Sequence, residues 1–181
     1  TAHNNEISAL AIHPSGRFVA TAEFSSEPKL IIWNVATLEI VFVDGKSHQK
    51  CISSISFSTD GKLVITIGND PNHTVVMHCW ESNELLFTSF VSISKCLDCC
   101  FRKDGVVVVG GDTFLYFWYR TDEGYIRRQG IFSKHVPKQA ITCVVPSVNV
   151  DSVISGTIRG HIFLWVDRNC VKYVNAHDGP I

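Results

Sequence analysis

The chain has 181 residues, of which 45% are apolar and 18% charged, and its formal net charge is −1. That length and apolar content suit a folded domain with a sizeable core and exclude a charge-rich, core-poor disordered chain. Near-neutral charge gives no global attraction to nucleic acid or acidic membranes, and no apolar stretch approaches the roughly 20 residues of a membrane-spanning helix.

In chain order, a strand-turn-strand pattern opens at Ile7, Leu10 and Ile12, turns at Gly16 and resumes over residues 18–21. An apolar run ending at Trp33 follows, then a strand over 38–43. The pattern returns at Ile52, Ile55 and Phe57 with Gly61, residues 63–67, a run ending at Trp80, and 85–91. A third copy has Cys96, Cys99, Phe101 and Gly105, then 106–109, a run ending at Trp118, and a strand from Tyr125 to Arg128. The fourth is looser: Ile141 and Val144 with Pro146 in place of a large apolar residue, then 153–155, Trp165, and 171–174. The four tryptophans are spaced by 47, 38 and 47 residues. Four short antiparallel strands per period of this size predict a propeller blade, and no window carries the 3.6-residue period of a helix. The stretch from Tyr119 to Gln139 reads as one long irregular connection.

The expected fold is therefore all-β, a WD-repeat β-propeller segment of four consecutive blades forming an open arc. The blades are placed at 1–47, 48–91, 92–134 and 135–176, with a next blade beginning at 177–181. The same His-to-Ile spacing of four recurs at His3, His48 and His177, so the segment is in phase with its repeat. It begins with Thr1 rather than Met, and the expectation is a fragment of a larger, tandem propeller. Ile12, Phe18, Phe163 and Leu164 are expected on uncovered apolar faces of the end blades.

These repeats resemble the WD-repeat superfamily. There a His before the first strand, a hydroxyl on the second, an acid before the third and the Trp form a hydrogen-bonded tetrad, because buried indole N–H and hydroxyl groups need partners. The resemblance implies His3, Thr21 and Trp33 in blade one, with Glu27 at the acid position. It implies His48, Thr66 and Trp80 in blade two, with Thr74 at the acid position. Blade three offers Ser92, Gly110, Asp112 and Trp118. Blade four offers Ser155 and Trp165, with Arg159 and Pro137 where acid and His are expected. A narrower match, in the run from Phe114 through Trp118 and from Arg127 through Gln129, Gly130, Ile131 and Phe132 to Lys134, is similar to the echinoderm microtubule-associated protein-like family. That resemblance implies a cytoplasmic scaffold of the cytoskeleton, the cilium included, with protein partners, tubulin or microtubules among them. The alternative is a WD-repeat scaffold of a ciliary, flagellar or transport complex.

Chemistry is sought and not found in the motifs. Cys96 and Cys99 have half of a zinc-site spacing, but no second Cys or His pair follows, and both fall on core positions of the repeat. The seven cysteines read as free thiols. His3, His48 and His177 recur at one repeat position, which suits a structural role. No nucleophile elbow, metalloprotease pair or phosphate-cradling loop occurs. The expectation is no catalytic, metal or cofactor site, and no nucleic acid, membrane or small-molecule partner. Arg127, Arg128, Lys134 and Lys138 are the candidate contact for an acidic protein surface.

Overall fold

The computed structural model describes residues 2–136 and 138–181. Its regular structure is sixteen strands in four sheets, each a meander in which consecutive strands pair antiparallel. Sheet 1 holds β1 (Ile7–Ile12), β2 (Phe18–Glu23), β3 (Leu30–Asn34) and β4 (Ile40–Asp44). Sheet 2 holds β5 (Ile52–Phe57), β6 (Leu63–Gly68), β7 (Thr74–Cys79) and β8 (Glu84–Phe90). Sheet 3 holds β9 (Cys96–Phe101), β10 (Val107–Gly111), β11 (Leu115–Thr121) and β12 (Gly124–Gln129). Sheet 4 holds β13 (Ile141–Pro146), β14 (Ser152–Thr157), β15 (His161–Val166) and β16 (Asn169–Asn175). The expected long connection after Tyr119 is instead a tight hairpin, because β11 runs on to Thr121 and pairs with Gly124 at once. Of the expected connection, residues 130–136 lie outside the named strands, with Ile131 forming a single bridge to Asn169.

The first hairpin of each of the first three sheets turns on a glycine at positive φ: Gly16, Gly61 and Gly105, at 70°, 76° and 85°. In sheets 1 and 2 the turn closes over the same span, His13 N–H to Phe18 O and Ser58 N–H to Leu63 O. In sheet 3 it closes one residue sooner, Arg102 N–H to Val106 O. That single residue decides which β10 side chain faces which way.

The chain forms two compact units, Thr1–Ile93 with sheets 1 and 2 and Ser94–Ile181 with sheets 3 and 4. Within the first, Ala20, Leu30 and Ile32 of sheet 1 pack against Ile52, Phe57 and Val64 of sheet 2. Within the second, Val108, Leu115 and Phe117 of sheet 3 pack against Ile141, Phe163 and Trp165 of sheet 4. Strand alternation explains β1: Ala9 and Ala11 pack on the core, while Leu10 and Ile12 on the other face are 61% and 69% exposed. Phe18 and Phe163 correct the expectation of uncovered faces. Phe18 lies 5.0 Å from the Trp80 ring and Phe163 is fully buried, since both sit on the face turned to the neighbouring sheet of their unit. Leu164 is half-buried.

The residue that follows the first strand of a sheet fastens the seam to the next. In the first unit this is His13, whose Nε2 lies 3.1 Å from Gly61 O and whose ring packs edge-on against Phe18, Phe57 and Trp80. In the second it is Arg102, 3% exposed, which holds Asp104 through two nitrogens and donates to the Asp151 and Asp167 carbonyls at 3.1 and 2.9 Å. Both reach the turns of the following sheet.

Gly16 and Gly61 allow a matched test of this seam. Their φ values are alike, but a Cβ on Gly16 meets nothing within 4 Å, whereas one on Gly61 overlaps the His13 ring. Gly16→Ala should lower unfolding free energy by about 1 kcal/mol, the cost of a left-handed non-glycine residue. Gly61→Ala should lower it by at least about twice that, because the His13 contact is also displaced. Urea unfolding of both variants checks the difference; equal losses would mean that the His13 seam contributes nothing.

Candidate functional site

The structure builds two kinds of polar assembly, the buried ties predicted from the repeats and an exposed basic strand. In sheet 1 the tie is complete. Trp33 Nε1 donates to Thr21 Oγ1 at 2.7 Å, Thr21 Oγ1 lies 2.7 Å from His3 Nε2, and His3 Nδ1 lies 3.3 Å from Glu23 Oε2. One head-to-tail proton order serves every member: indole N–H to hydroxyl, hydroxyl O–H to imidazole, imidazole N–H to carboxylate. The acid is Glu23, not Glu27. Glu27 is exposed, whereas Glu23 ends β2 on the same face as Thr21 two residues before it, and is 2% exposed. Burial alone would raise the Glu23 carboxyl, but the Asn4 N–H and His3 outweigh it and hold it below its ordinary value.

In sheet 2, His48 Nε2 lies 2.8 Å from Thr66 Oγ1, and His48 Nδ1 faces Thr74 Oγ1 at 3.3 Å and Asp70 Oδ2 at 3.6 Å. Thr74 therefore does occupy the acid position, and it relays to Asp70 by donating to Oδ2 at 2.6 Å. Gly68 leaves the room, since a Cβ there would overlap the His48 ring. Trp80 does not join this tie, which corrects the sequence assignment. β6 pairs Thr66 with Val76, so the register that Trp33 holds two residues on belongs here to His78. Trp80 lies just past β7 and donates to Gly61 O at 2.7 Å, in the seam with His13. His78 is buried, and burial holds its imidazole below the ordinary value, with His48 adding to the effect and Asp44 opposing it.

In sheet 3 the hydroxyl position of the tie is apolar. Because its first turn is one residue short, Cys99 pairs Val109, and Val109 rather than Gly110 stands where Thr21 and Thr66 stand. Trp118 does keep its register, opposite Val107, but Val109 offers it no hydroxyl, and Asp112 is exposed with its N–H on Lys95 O. In sheet 4, Trp165 Nε1 donates to Ser155 Oγ at 2.9 Å between two buried residues. Arg159 is exposed, and Pro137 lies outside the described residues.

The cysteine pair is core: Cys96 and Cys99 are 2% and 3% exposed, and neighbouring Cys100 has its thiol pushed up by burial and Asp98. Among the described residues no group of three His, Cys, Asp or Glu side chains is placed to hold a metal. No helix among them is long and apolar enough to cross a membrane.

The four basic residues do not form one patch. Arg127 and Arg128 are adjacent on β12 and project to opposite faces, Arg127 over the Tyr116 ring at 4.7 Å and Arg128 over Tyr119 at 5.9 Å. Tyr119 donates to Asp167 at 2.6 Å on the side of sheet 4, and burial and that bond push its phenol up to about 12. Lys134 is exposed. Lys138 and Arg168, a residue the sequence reading did not single out, flank a cleft of about 350 Å³ beside Gln129, Gly130, Ile131 and Phe132. The Gly130–Phe132 stretch itself is a seam: Ile131 exchanges backbone hydrogen bonds with Arg168 and Cys170 at 2.8 and 2.9 Å, and Phe132 packs 4.9 Å from Trp165. A Cβ on Gly130 would come within 3.0 Å of Trp165.

Asp70 makes the sheet 2 tie testable by pH. Burial would raise its carboxyl, but the His48 imidazole beside it and hydrogen bonds from the Thr74 hydroxyl and the Thr74 N–H bring it to about 2, from 3.8. A depressed carboxyl stabilises above its unfolded value and loses that contribution as pH falls toward the folded value. Asp70 should thus supply about 2 kcal/mol above pH 5, lost between about pH 5 and 2. Asp70→Asn should lower stability at pH 7 by about that amount and flatten the acid limb, read from urea midpoints across pH; an unchanged limb would exclude the tie as its source.

Comparison with known proteins places the whole arrangement. The Cps50 (Swd1) beta-propeller domain of Myceliophteria thermophila superposes with a TM-score of 0.81 at 15% identity, over 99% of this chain and 58% of that one. The four sheets are thus blades of a β-propeller. The chain is 26% identical to human echinoderm microtubule-associated protein-like 1 over 99% of its own length and 24% of the relative's. It is 24% identical to the 77 kDa echinoderm microtubule-associated protein of Strongylocentrotus purpuratus, over 100% of its own length and 28% of the relative's. It thus spans about a quarter of the length of these relatives. The family model for the first beta-propeller of echinoderm microtubule-associated proteins matches residues 1–181, and the chain belongs to that family.

Proposed function

We infer that this chain is part of a non-catalytic protein-binding scaffold of the cytoplasmic cytoskeleton, and that its partner is the microtubule. The observation that carries this reading is family membership over the full chain, with relatives named as microtubule-associated. The site chemistry agrees with it. The string Thr21, His3, Glu23 has the connectivity of a nucleophilic triad, yet the Thr21 hydroxyl already accepts the Trp33 indole N–H. A hydroxyl so engaged holds a loop against a strand and is poorly placed to attack a substrate. The ties serve the fold, and binding falls to exposed side chains.

The binding surface in this reading is basic and meets an acidic protein. Arg128, Lys134 and Lys138 contribute from the β12–β13 stretch, and Arg168 joins them across the cleft. Arg127, on the opposite face of β12, contributes less. Exposed charges of this kind act mainly on encounter rate and salt dependence.

Co-sedimentation with polymerised tubulin tests both parts. Arg128→Glu with Lys138→Glu should weaken binding by about tenfold, Arg127→Glu by less than about threefold, and raising salt from 50 to 200 mM should weaken the parent chain more than the double variant. Binding that ignores both charge reversal and salt would remove the basic surface from the reading, and absence of any pelleting would remove the microtubule.

A further inference from the structure

The first unit carries a pocket that neither the ties nor the basic strand uses. Loops at one end of sheets 1 and 2 border an open pocket of about 590 Å³, with Phe24, Ser25, Lys50, Asp70, Pro71 and His73 in its lining. Its volume falls within the range of pockets that hold ligands.

The pocket is mixed in a particular way. Phe24 is 60% exposed, with its backbone N–H bonded to Glu6 O at 2.8 Å, and its ring lines the pocket together with Pro71. Two polar atoms in the lining, Ser25 Oγ and His73 Nδ1, are buried and have no hydrogen-bond partner among the described residues. Buried polar atoms are almost always paired, and an orphan marks a place where a partner is expected. His73 is held by its backbone: its N–H bonds Asp70 O at 3.0 Å, its carbonyl accepts Val91 N–H at 3.2 Å, and φ is +42°. A non-glycine residue in that region is strained, and such strain gathers at functional sites.

The charges complete the description. The Asp70 carboxylate is already engaged by Thr74 and His48. Lys50 is exposed, and among the described residues it has no carboxylate within ion-pairing distance. Among its described residues the pocket thus offers an apolar wall, two groups that can each donate or accept, and the Lys50 ammonium at the rim. A polypeptide segment matches this set: its backbone supplies acceptors and donors in alternation, one side chain covers the ring, and a neighbouring carboxylate meets the ammonium. A phosphate ligand, with about two charges near neutral pH, would find a single Lys or Arg among the described lining residues and would leave the apolar wall unused.

We propose that this pocket binds a short extended peptide of a partner protein, with an aromatic side chain against Phe24 and an acidic one against Lys50. The proposal stands apart from the microtubule reading and uses different residues.

The probe is a fluorescein-labelled peptide Gly-Glu-Phe-Glu-Gly, titrated by anisotropy against the full chain. Saturable binding with a Kd at or below about 1 mM is expected for so small a probe. Phe24→Ala and Lys50→Glu should each weaken it by about tenfold, while Lys172→Glu, on exposed β16 in the other unit, should not. The counterpart Gly-Lys-Phe-Lys-Gly should bind at least tenfold more weakly. Because Phe24 and Lys50 are exposed, melting curves of the variants should overlay the parent; should Phe24→Ala fail to fold, Lys50→Glu and the charge-swapped peptide still decide. No saturable binding, equal binding by Lys50→Glu, or equal affinity for the lysine peptide would each overturn the proposal.

Discussion

Each sheet in this chain is apolar on more than one face, and an antiparallel sheet of four short strands cannot bury two faces by itself. Stability therefore rests on the seam between a sheet and its neighbour. In the first unit that seam converges on the backbone of Gly61, whose carbonyl takes the Trp80 indole N–H and faces His13 Nε2. In the second it converges on Arg102, which ties the first turn of sheet 3 to two turns of sheet 4. The two devices stand at the same repeat position, directly after the first strand. They differ in chemistry because what lies opposite differs: an aromatic cluster in one case, bare carbonyls in the other. A guanidinium with its carboxylate beside it suits the second, since burial of an unpaired cation would be costly.

The hydroxyl, imidazole and carboxylate ties perform a second task. They connect the segment entering a sheet to its inner hairpin, so that His3 is anchored to β2 and His48 to β6. Where the tie is absent, packing takes over. Sheet 3 replaces it with a stack of Phe114 on Tyr116 at 4.5 Å, with Trp118 edge-on to Tyr116 and Arg127 above. Apolar packing of this sort stabilises without specifying proton order, so the blades reach similar shapes by unlike interactions.

Much of this was legible in the sequence. Strand identity follows from period-two alternation, turn glycines and the recurring tryptophans, and the sheets fall where those signals put them. Register was legible only where every turn has the same length. Trp80 escaped because a shift of two residues preserves alternation, so the pattern reads alike whether Trp80 or His78 faces Thr66. Val109 escaped for the opposite reason: one residue lost from a turn moves every following side chain to the other face. Glu23 could have been found, since it shares a face with Thr21 by period two; the resemblance puts the acid before the third strand and so pointed to Glu27 instead. The same period separates Arg127 from Arg128. The seam role of His13 and Arg102 gave no local signal, because the carbonyls they reach lie 48 to 65 residues away in sequence.

The residues that carry the family likeness in the second unit turn out to sit in a seam. Gly130, Ile131 and Phe132 join sheet 3 to sheet 4 through backbone pairing and the Trp165 contact. A motif of that kind reports how blades are joined and says little about what they bind. Partner choice requires side chains that a seam has not already engaged, and these lie where the repeat equivalence fails. Lys138 borders its cleft without an acid partner among the described residues, while Arg168 opposite keeps one guanidinium nitrogen on Gln129 O at 3.3 Å and has the rest of its fork to offer. Phe24, Lys50 and His73 lie on loops between the strands, with spare hydrogen-bonding groups beside them. The shared scaffold thus leaves its inter-strand loops free to diverge, and different members of one fold family can acquire different partners without disturbing the seams.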